Sequence, residues 1–571
     1  MTTITRKWLL IGLVLFAASG LAACGGGGDT QPGQTAQPGD GTPTTPTTPT
    51  TPTTPTTPTT PTTPTTPTTP TTPTTPTTPT TPATPVAAFT VSGDAFAWLG
   101  NSRITVPATS GLLANDVGTS GILTFQNPSV LGGTVTITDL AGGGFTYEPP
   151  PPSAAGVPFT GLDTFTYTAQ APDGRTAQGT VTITVGQVAW FVKNDFVPAA
   201  GETPNGRSTT PFTTLAAAAA VSRPGDIIFV HTGNGANTGQ SAGITLKTNQ
   251  RLLGQGVGLP PFDVLPNDPN NALLPVTGVA STAANPAAMP IISDTVTVLI
   301  NNLPIVGLAS GVEVAGVIID GAGALANMRG MSGTGLTGFN IHDNTIRNVQ
   351  RAGILLAGAT GGTGTIANNT ISNLLGPNPE NAIDIVTTAA GVNFALTGNT
   401  LSNILETGIR VLFPSGTAAA TSNTLTNIGT NAGRRGIDVE GAGTITVSGN
   451  IVDNTGVAAI ARSGIQVNAS GTLAASVTGN SVLNAAPADG GIQAQTLLAA
   501  SLCLRMTGNT TANNLVLDNR ATANIPANFR IEGPTQVAFE AANPGNTGIF
   551  VYLLNPAAFS FVPVGTCGFA P

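Results

Sequence analysis

Ile341-His-Asp-Asn-Thr-Ile-Arg-Asn348, Ile366-Ala-Asn-Asn-Thr-Ile-Ser-Asn373 and Leu396-Thr-Gly-Asn-Thr-Leu-Ser-Asn403 are one phrase written three times. Four more copies follow: Ala420-Thr-Ser-Asn-Thr-Leu-Thr-Asn427, Val447-Ser-Gly-Asn-Ile-Val-Asp-Asn454, Val477-Thr-Gly-Asn-Ser-Val-Leu-Asn484 and Met506-Thr-Gly-Asn-Thr-Thr-Ala-Asn513. They recur every 24 to 30 residues, a solenoid period. Each copy is a short alternating strand, an Asn and a second apolar pair, and no copy buries its apolar face alone. Stacking the copies at the inter-strand spacing of about 4.8 Å makes continuous aliphatic columns. The same register lines up two asparagine ladders, which satisfy polar turn groups that would otherwise be buried unpaired. One runs through Asn344, Asn369, Asn399, Asn423, Asn450, Asn480 and Asn509, the other through Asn348, Asn373, Asn403, Asn427, Asn454, Asn484 and Asn513.

On these repeats the chain resembles the right-handed parallel β-helix, the fold of pectate-lyase-like proteins and of many bacterial surface proteins. A helical solenoid is excluded by the Gly, Asn, Thr and Val content and the lack of a helical period. The resemblance covers about half the chain and implies a fold; that fold hosts lyases, hydrolases, adhesins and structural proteins alike. Upstream, Val188-Ala-Trp-Phe-Val192 reads as an entry strand, Pro211–Val221 as a short helix covering the open end, and Gly225-Asp-Ile-Ile-Phe-Val-His231 as the first full strand of the solenoid. The β-helix with its N-terminal cap is placed at 187–514, and the aromatic-richer 515–571 as a C-terminal cap.

Outward from the repeats, 86–186 alternates in strand fashion. Gly111-Leu-Leu-Ala-Asn-Asp116, Gly133-Thr-Val-Thr-Ile137, Gly144-Phe-Thr-Tyr147, Gly161-Leu-Asp-Thr-Phe-Thr-Tyr167 and Gly179-Thr-Val-Thr-Ile-Thr-Val185 resemble bacterial cadherin-like and immunoglobulin-like modules, implying a small β-sandwich. Some such modules bind calcium, and Asp116, Asp163 and Asp173 are the acidic candidates. Asn115-Asp-Val-Gly118 lacks a second carboxylate nearby, so a spacer without metal stands beside that reading; no other cofactor is expected.

The segment from Pro43 to Pro82 repeats Pro-Thr-Thr without interruption. Proline at every third position favours extended polyproline II at about 3.1 Å per residue, a stalk on the order of 120 Å. Before it, Arg6 and Lys7 precede an apolar run from Trp8 to Ala18, the shape of a secretory signal over 1–23. Leu21-Ala-Ala-Cys24 resembles the lipobox of bacterial lipoproteins, which makes Cys24 a lipidated N-terminus and 24–85 a Gly-rich, lipid-anchored stalk. Export leaves Cys503 and Cys567 as a disulfide candidate.

Charged residues make up 8% of the chain and the formal net charge is −8, with no basic patch, which speaks against nucleic acid as a partner. A second phrase follows most turns: Gly353-Ile-Leu-Leu356, Ala382-Ile-Asp-Ile385, Gly408-Ile-Arg-Val411, Gly436-Ile-Asp-Val439, Gly464-Ile-Gln-Val467 and Gly491-Ile-Gln-Ala494. Alternation sends the aliphatics inward and the residue between them to solvent. The result is an outward column of Leu355, Asp384, Arg410, Asp438, Gln466 and Gln493, with Arg329 one rung earlier. Asp384 and Asp438 fall two rungs, roughly 9.6 Å, apart, near the 6.5–9.5 Å that suits an inverting glycosidase. Arg410 between them favours a structural ladder, because ion pairing lowers the pKa of a general acid. From residue 301 to 500 there is no Trp or Tyr, and the only Phe are Phe339, Phe394 and Phe413, which leaves no aromatic sugar platform. Glu406 and Glu440 read as turn residues.

Together these features predict an all-β protein, exported and lipid-anchored to the outer membrane or cell surface, binding or adhering to an extracellular glycan or surface protein. A polysaccharide hydrolase or lyase acting through Asp384, Arg410 and Asp438 is the alternative, and a structural envelope component a third.

Overall fold

A computed structural model describes residues 86–259, 285–295, 303–323, 327–454, 459–460, 462–485, 490–521, 526–553 and 558–569. The signal, Cys24 and the Pro-Thr-Thr stalk lie outside them. The protein is 49% strand and 5% helix and forms a right-handed β-solenoid of about ten turns preceded by an Ig-like region.

A typical coil contributes one strand to each of three parallel ladders, as in Ile354–Gly358, Gly361–Ala367 and Thr370–Leu374, and Ile437–Ser448 and Ile465–Thr478 each run through the first two without a break. Ile354, Ile383, Ile409, Ile437, Ile465, Ile492 and Leu515 stack in register in the first sheet, all fully buried. Each such side chain stabilises the fold by about 1.5–3 kcal/mol, which no isolated coil could obtain.

The asparagines divide the work of the turns. Each first-ladder residue from Asn344 to Asn480 donates from Nδ2 to the next Oδ1, at 2.9–3.0 Å. Asn509 extends the run to Asn543, 3.0 Å away. The residue before each ladder position, from Asp343 through Asn368, Gly398, Ser422, Gly449 and Gly479 to Gly508, has φ between 54° and 68°. That left-handed backbone is the reason Gly, Asn or Asp so often stands there. In the second series Asn348, Asn373, Asn403 and Asn427 form a chain of side-chain bonds and themselves hold φ of 54–59°. The chain of amides ends at Asn454, which turns inward, is fully buried and donates to the Ile428 carbonyl at 2.8 Å.

Two boundaries differ from the sequence reading. A single strand, Thr176–Val192, pairs with Gly161–Gln170 in the sandwich and, at its far end, with Ile227–Val230 in the solenoid. The sandwich is therefore continuous with the first rung. Arg207 reinforces the join, bonding Glu148 at 3.0 Å and the carbonyls of Pro149 and Pro150. At the other end, 515–562 extends the stack: Leu515–Asn519 pairs with Phe550–Leu553, and Phe529–Glu532 with Ser560–Val562. The helix Gln536–Ala541 interrupts the period, which hides these rungs from a repeat search. Cys503 and Cys567 are disulfide-bonded across 64 residues. The helix Leu215–Val221 is N-capped by Thr214 and buries Leu215 and Ala218 in the solenoid core.

Candidate functional site

Parallel register carries each position of the first sheet up the stack. The column runs Ser332, Leu355, Asp384, Arg410, Asp438, Gln466, Gln493, Val516. Arg329 is not in it; Ser332 holds that rung, and Arg329 instead bonds Glu380 at 2.7 and 2.8 Å. Two residues further along each strand a second column lies on the same face, through Leu412, Glu440, Asn468, Gln495 and Asp518. Glu440 thus sits within the strand Ile437–Ser448, two positions from Asp438, where the sequence reading had a turn. Glu406 lies in a turn but is buried, paired with Arg434 and accepting from Asn431 at 2.8 Å.

This face does not stand in open solvent. Asp384 is 5% exposed, Asp438 8% and Gln466 2%. The preceding turns fold over the column: Asn381 donates to Asp384 at 3.1 Å, and Arg435 reaches forward three residues to Asp438 at 3.2 Å. Alternation chooses which side of the sheet a residue faces, and these turns, not the strand, decide whether that side is wet.

Asp384, Arg410 and Asp438 do occupy successive rungs, but the two acids have different roles. Arg410 grips Asp384 with one edge of its guanidinium, Nε and Nη2 at 2.8 and 2.7 Å, a bidentate pair. Asp384 is thereby committed as a counter-ion. The Arg410 guanidinium is itself held charged, first by that hydrogen bond. Asp438 is different: burial raises its pKa despite the opposing Arg435 and Arg410 charges. Burial also raises Glu440, against a lowering hydrogen bond from Asn468 and with a further rise from the Asp438 charge. One amide joins the pair, Asn468 Nδ2 standing 3.4 Å from Asp438 Oδ1 and 3.3 Å from Glu440 Oε2. Asn468 Oδ1 in turn accepts from Gln466 Nε2 at 2.9 Å, which leaves Gln466 Oε1 buried with no partner. Next along the column, Ser463 donates to Gln493 Oε1 at 3.1 Å. The sequence signal for Glu440 was available: it is the residue after Gly436-Ile-Asp-Val439, on the face of Asp438.

The three calcium candidates are not brought together. Asp163 is a core anchor, accepting from Ser129 Oγ at 2.5 Å, Tyr147 Oη at 2.7 Å and Leu131 N at 3.0 Å. Asp173 is exposed and paired with Arg175 in a turn. Asp116 accepts from Ser92 N at 2.7 Å and Tyr167 Oη at 3.0 Å, and faces Asp94. Burial, with Asp116 adding to it and Tyr167 opposing, pushes Asp94 up to about 7. Among the described residues no group of three or more His, Cys, Asp and Glu is arranged to hold a metal ion.

Residues 329–516 match the family model of the right handed beta helix region, and residues 39–184 that of the bacterial Ig domain. No curated protein matches the chain. Among solved structures, a GH136 lacto-N-biosidase from Eubacterium ramulus shares 10% identity over 66% of this chain and 68% of that chain, with a TM-score of 0.29. A Yersinia enterocolitica family 28 exopolygalacturonase shares 11% over 74% and 86%, with a TM-score of 0.22. Likenesses of that size say nothing of activity. The chain joins an Ig-like region to a right-handed β-solenoid.

Proposed function

We propose that this protein is a surface-displayed binding and adhesion protein for a neutral glycan. A β-helix and an Ig-like domain fit an extracellular surface protein. The observation that carries the reading is the double column of amides and carboxylates from Asp438 to Gln495, whose side chains hold one another in place on a rigid sheet. Neutral sugars are favoured because Arg329, Arg351, Arg410, Arg434 and Arg435 each already face a carboxylate. Phe339, Phe394 and Phe413 are buried, so recognition rests on polar groups.

On this reading the Cys24 lipid and the Pro-Thr-Thr stalk hold the binding face away from the outer membrane. The test is retention of the full chain on immobilised neutral glycans. Gln493→Leu, which puts an aliphatic group in the column, is expected to lower retention at least tenfold; unchanged retention, or none by the parent chain, refutes the reading. Cys24→Ser is expected to move the protein from the membrane to the soluble fraction.

A further inference from the structure

We propose that the C-terminal end of the solenoid is a docking surface for a second copy of this chain, the two copies meeting end to end across a two-fold axis. Such pairing is independent of glycan binding.

A solenoid holds together because each rung covers the one before it. The last rung consists of Gly545–Asn546, Phe550–Leu553 and Ser560–Val562, one strand in each ladder, and among the described residues each pairs on one edge only. The Leu515 N–H donates to the Ile549 carbonyl and the Gly533 N–H to the Val562 carbonyl. Alternation along a parallel ladder then points the N–H and C=O groups of Phe550, Tyr552 and Phe561 away from the stack. The same three residues stand in register with Leu515, Leu517 and Ile531 and pack against the core. Leu515, Leu517 and Ile531 are buried beneath the last rung, whereas the three aromatics are only half-buried. After Val562 the chain turns back along the side: Cys567 N donates to Glu532 Oε1, and its sulfur joins Cys503 two rungs earlier.

Three features make a second copy the occupant. Residues 541–571 contain no Asp, Glu, Lys or Arg, so two such ends meet without like-charge repulsion although the chain has a net charge of −8. The charges that commonly blunt a free strand edge are missing with them. The opposite end of the solenoid is taken, since Thr176–Val192 runs from the sandwich into the first rung and the helix Leu215–Val221 packs on the core. Head-to-tail growth into a filament therefore has no free face, and a closed two-fold pair remains. An axis through Val551 sets Phe550–Leu553 antiparallel to its copy. Phe550 of each copy then exchanges backbone N–H···O bonds with Tyr552 of the other, and Ile549, 67% exposed, lies opposite Leu553. Each chain enters the stack through its Ig-like region, so the pair holds its two Ig-like regions apart, an arrangement that joins two facing surfaces.

The test is sedimentation equilibrium of the full chain in excess detergent, beside Val551→Lys, Val551→Glu and an equimolar mixture of the two. Val551 continues the outer-face column of Val516, so these changes leave the core aromatics in place, and circular dichroism checks the fold. The parent is expected at twice the mass of one chain. Each variant alone is expected at the mass of one chain, its dissociation constant raised about a hundredfold or more by like charges across the axis, and the mixture again at twice that mass. The Phe550 and Tyr552 amides should exchange slowly in the parent and fast in either variant. A parent of single-chain mass overturns the proposal, whether those amides exchange freely or are protected by another segment of the same chain. A mass above two chains overturns the closed pair, and pairing that Val551→Lys leaves unchanged overturns the assignment to this end. If the Val551 variants do not fold, Ile549→Lys replaces them at its exposed position and is read the same way. Retention on glycans is scored separately: a paired chain that is not retained loses the glycan reading alone, and a retained chain that stays single loses this one.

Discussion

Removing one amide from the buried ladder should cost far more than removing one from the half-exposed series, although both are asparagines in the same repeat. Asn423 is fully buried at mid-solenoid. Its Nδ2 donates to the Leu396 carbonyl and to Asn450 Oδ1, each at 2.9 Å, and its Oδ1 accepts from the backbone and side chain of Asn399 at 3.0 and 2.9 Å. In Asn423→Ala, Asn450 Oδ1 keeps the backbone N–H of residue 423 and the Asn399 amide keeps the Ile366 carbonyl. The Asn399 N–H and the Leu396 carbonyl lose their side-chain partner. Two buried backbone groups at about 1–3 kcal/mol each give a loss of about 2–6 kcal/mol. Asn403 makes two amide bonds at 2.9 Å, but its governing feature is φ of 57°. Asn403→Ala should therefore cost about 1–2 kcal/mol from left-handed backbone, and Asn403→Gly a few tenths, because glycine accepts that φ freely. Urea unfolding of the full chain followed by far-ultraviolet circular dichroism, with the slope compared between variants, measures all three. If Asn423→Ala costs no more than Asn403→Ala, or Asn403→Gly as much as Asn403→Ala, the division of labour between the ladders is wrong.

Reducing the Cys503–Cys567 bond, which closes a loop of 64 residues, should destabilise the C-terminal rungs by about 4 kcal/mol on the chain-entropy scale; hydrogen exchange confined to residues 500–569 after reduction is the readout. Asp94 is raised to about 7 from 3.8, so its contribution to stability is full below about 3.8 and is lost as pH rises through about 7. Melting of the Ig region should fall between about pH 4 and pH 7, and Asp94→Asn should flatten that fall; an identical slope in the variant would show that Asp94 does not titrate there.

Much of the fold was legible because a solenoid's rules are local. The repeat period fixes the rung, alternation fixes the side, and the parallel register then places Asp384, Arg410, Asp438, Gln466 and Gln493 in one column without any knowledge of the rest of the chain. Asn543 escaped notice because the helix Gln536–Ala541 displaces it from the period, yet it caps the ladder by bonding Asn509.

What the sequence by itself determined was therefore the all-β solenoid, the Ig-like region before it and the identity of each column, since these follow from spacing along the chain. What only the tertiary structure decided was the character of each acid in the column. Asp384 and Asp438 stand in equivalent positions, but one is clamped by Arg410 and the other is buried beside Glu440 and Asn468 with its proton affinity raised. That difference comes from where the side chains of neighbouring rungs turn: the Arg410 guanidinium closes on Asp384, while Asn468 from the next rung and Arg435 from the preceding turn meet Asp438. Desolvation and ion pairing depend on what the neighbouring rungs and turns bring near, and so they are not written in the spacing of any one repeat.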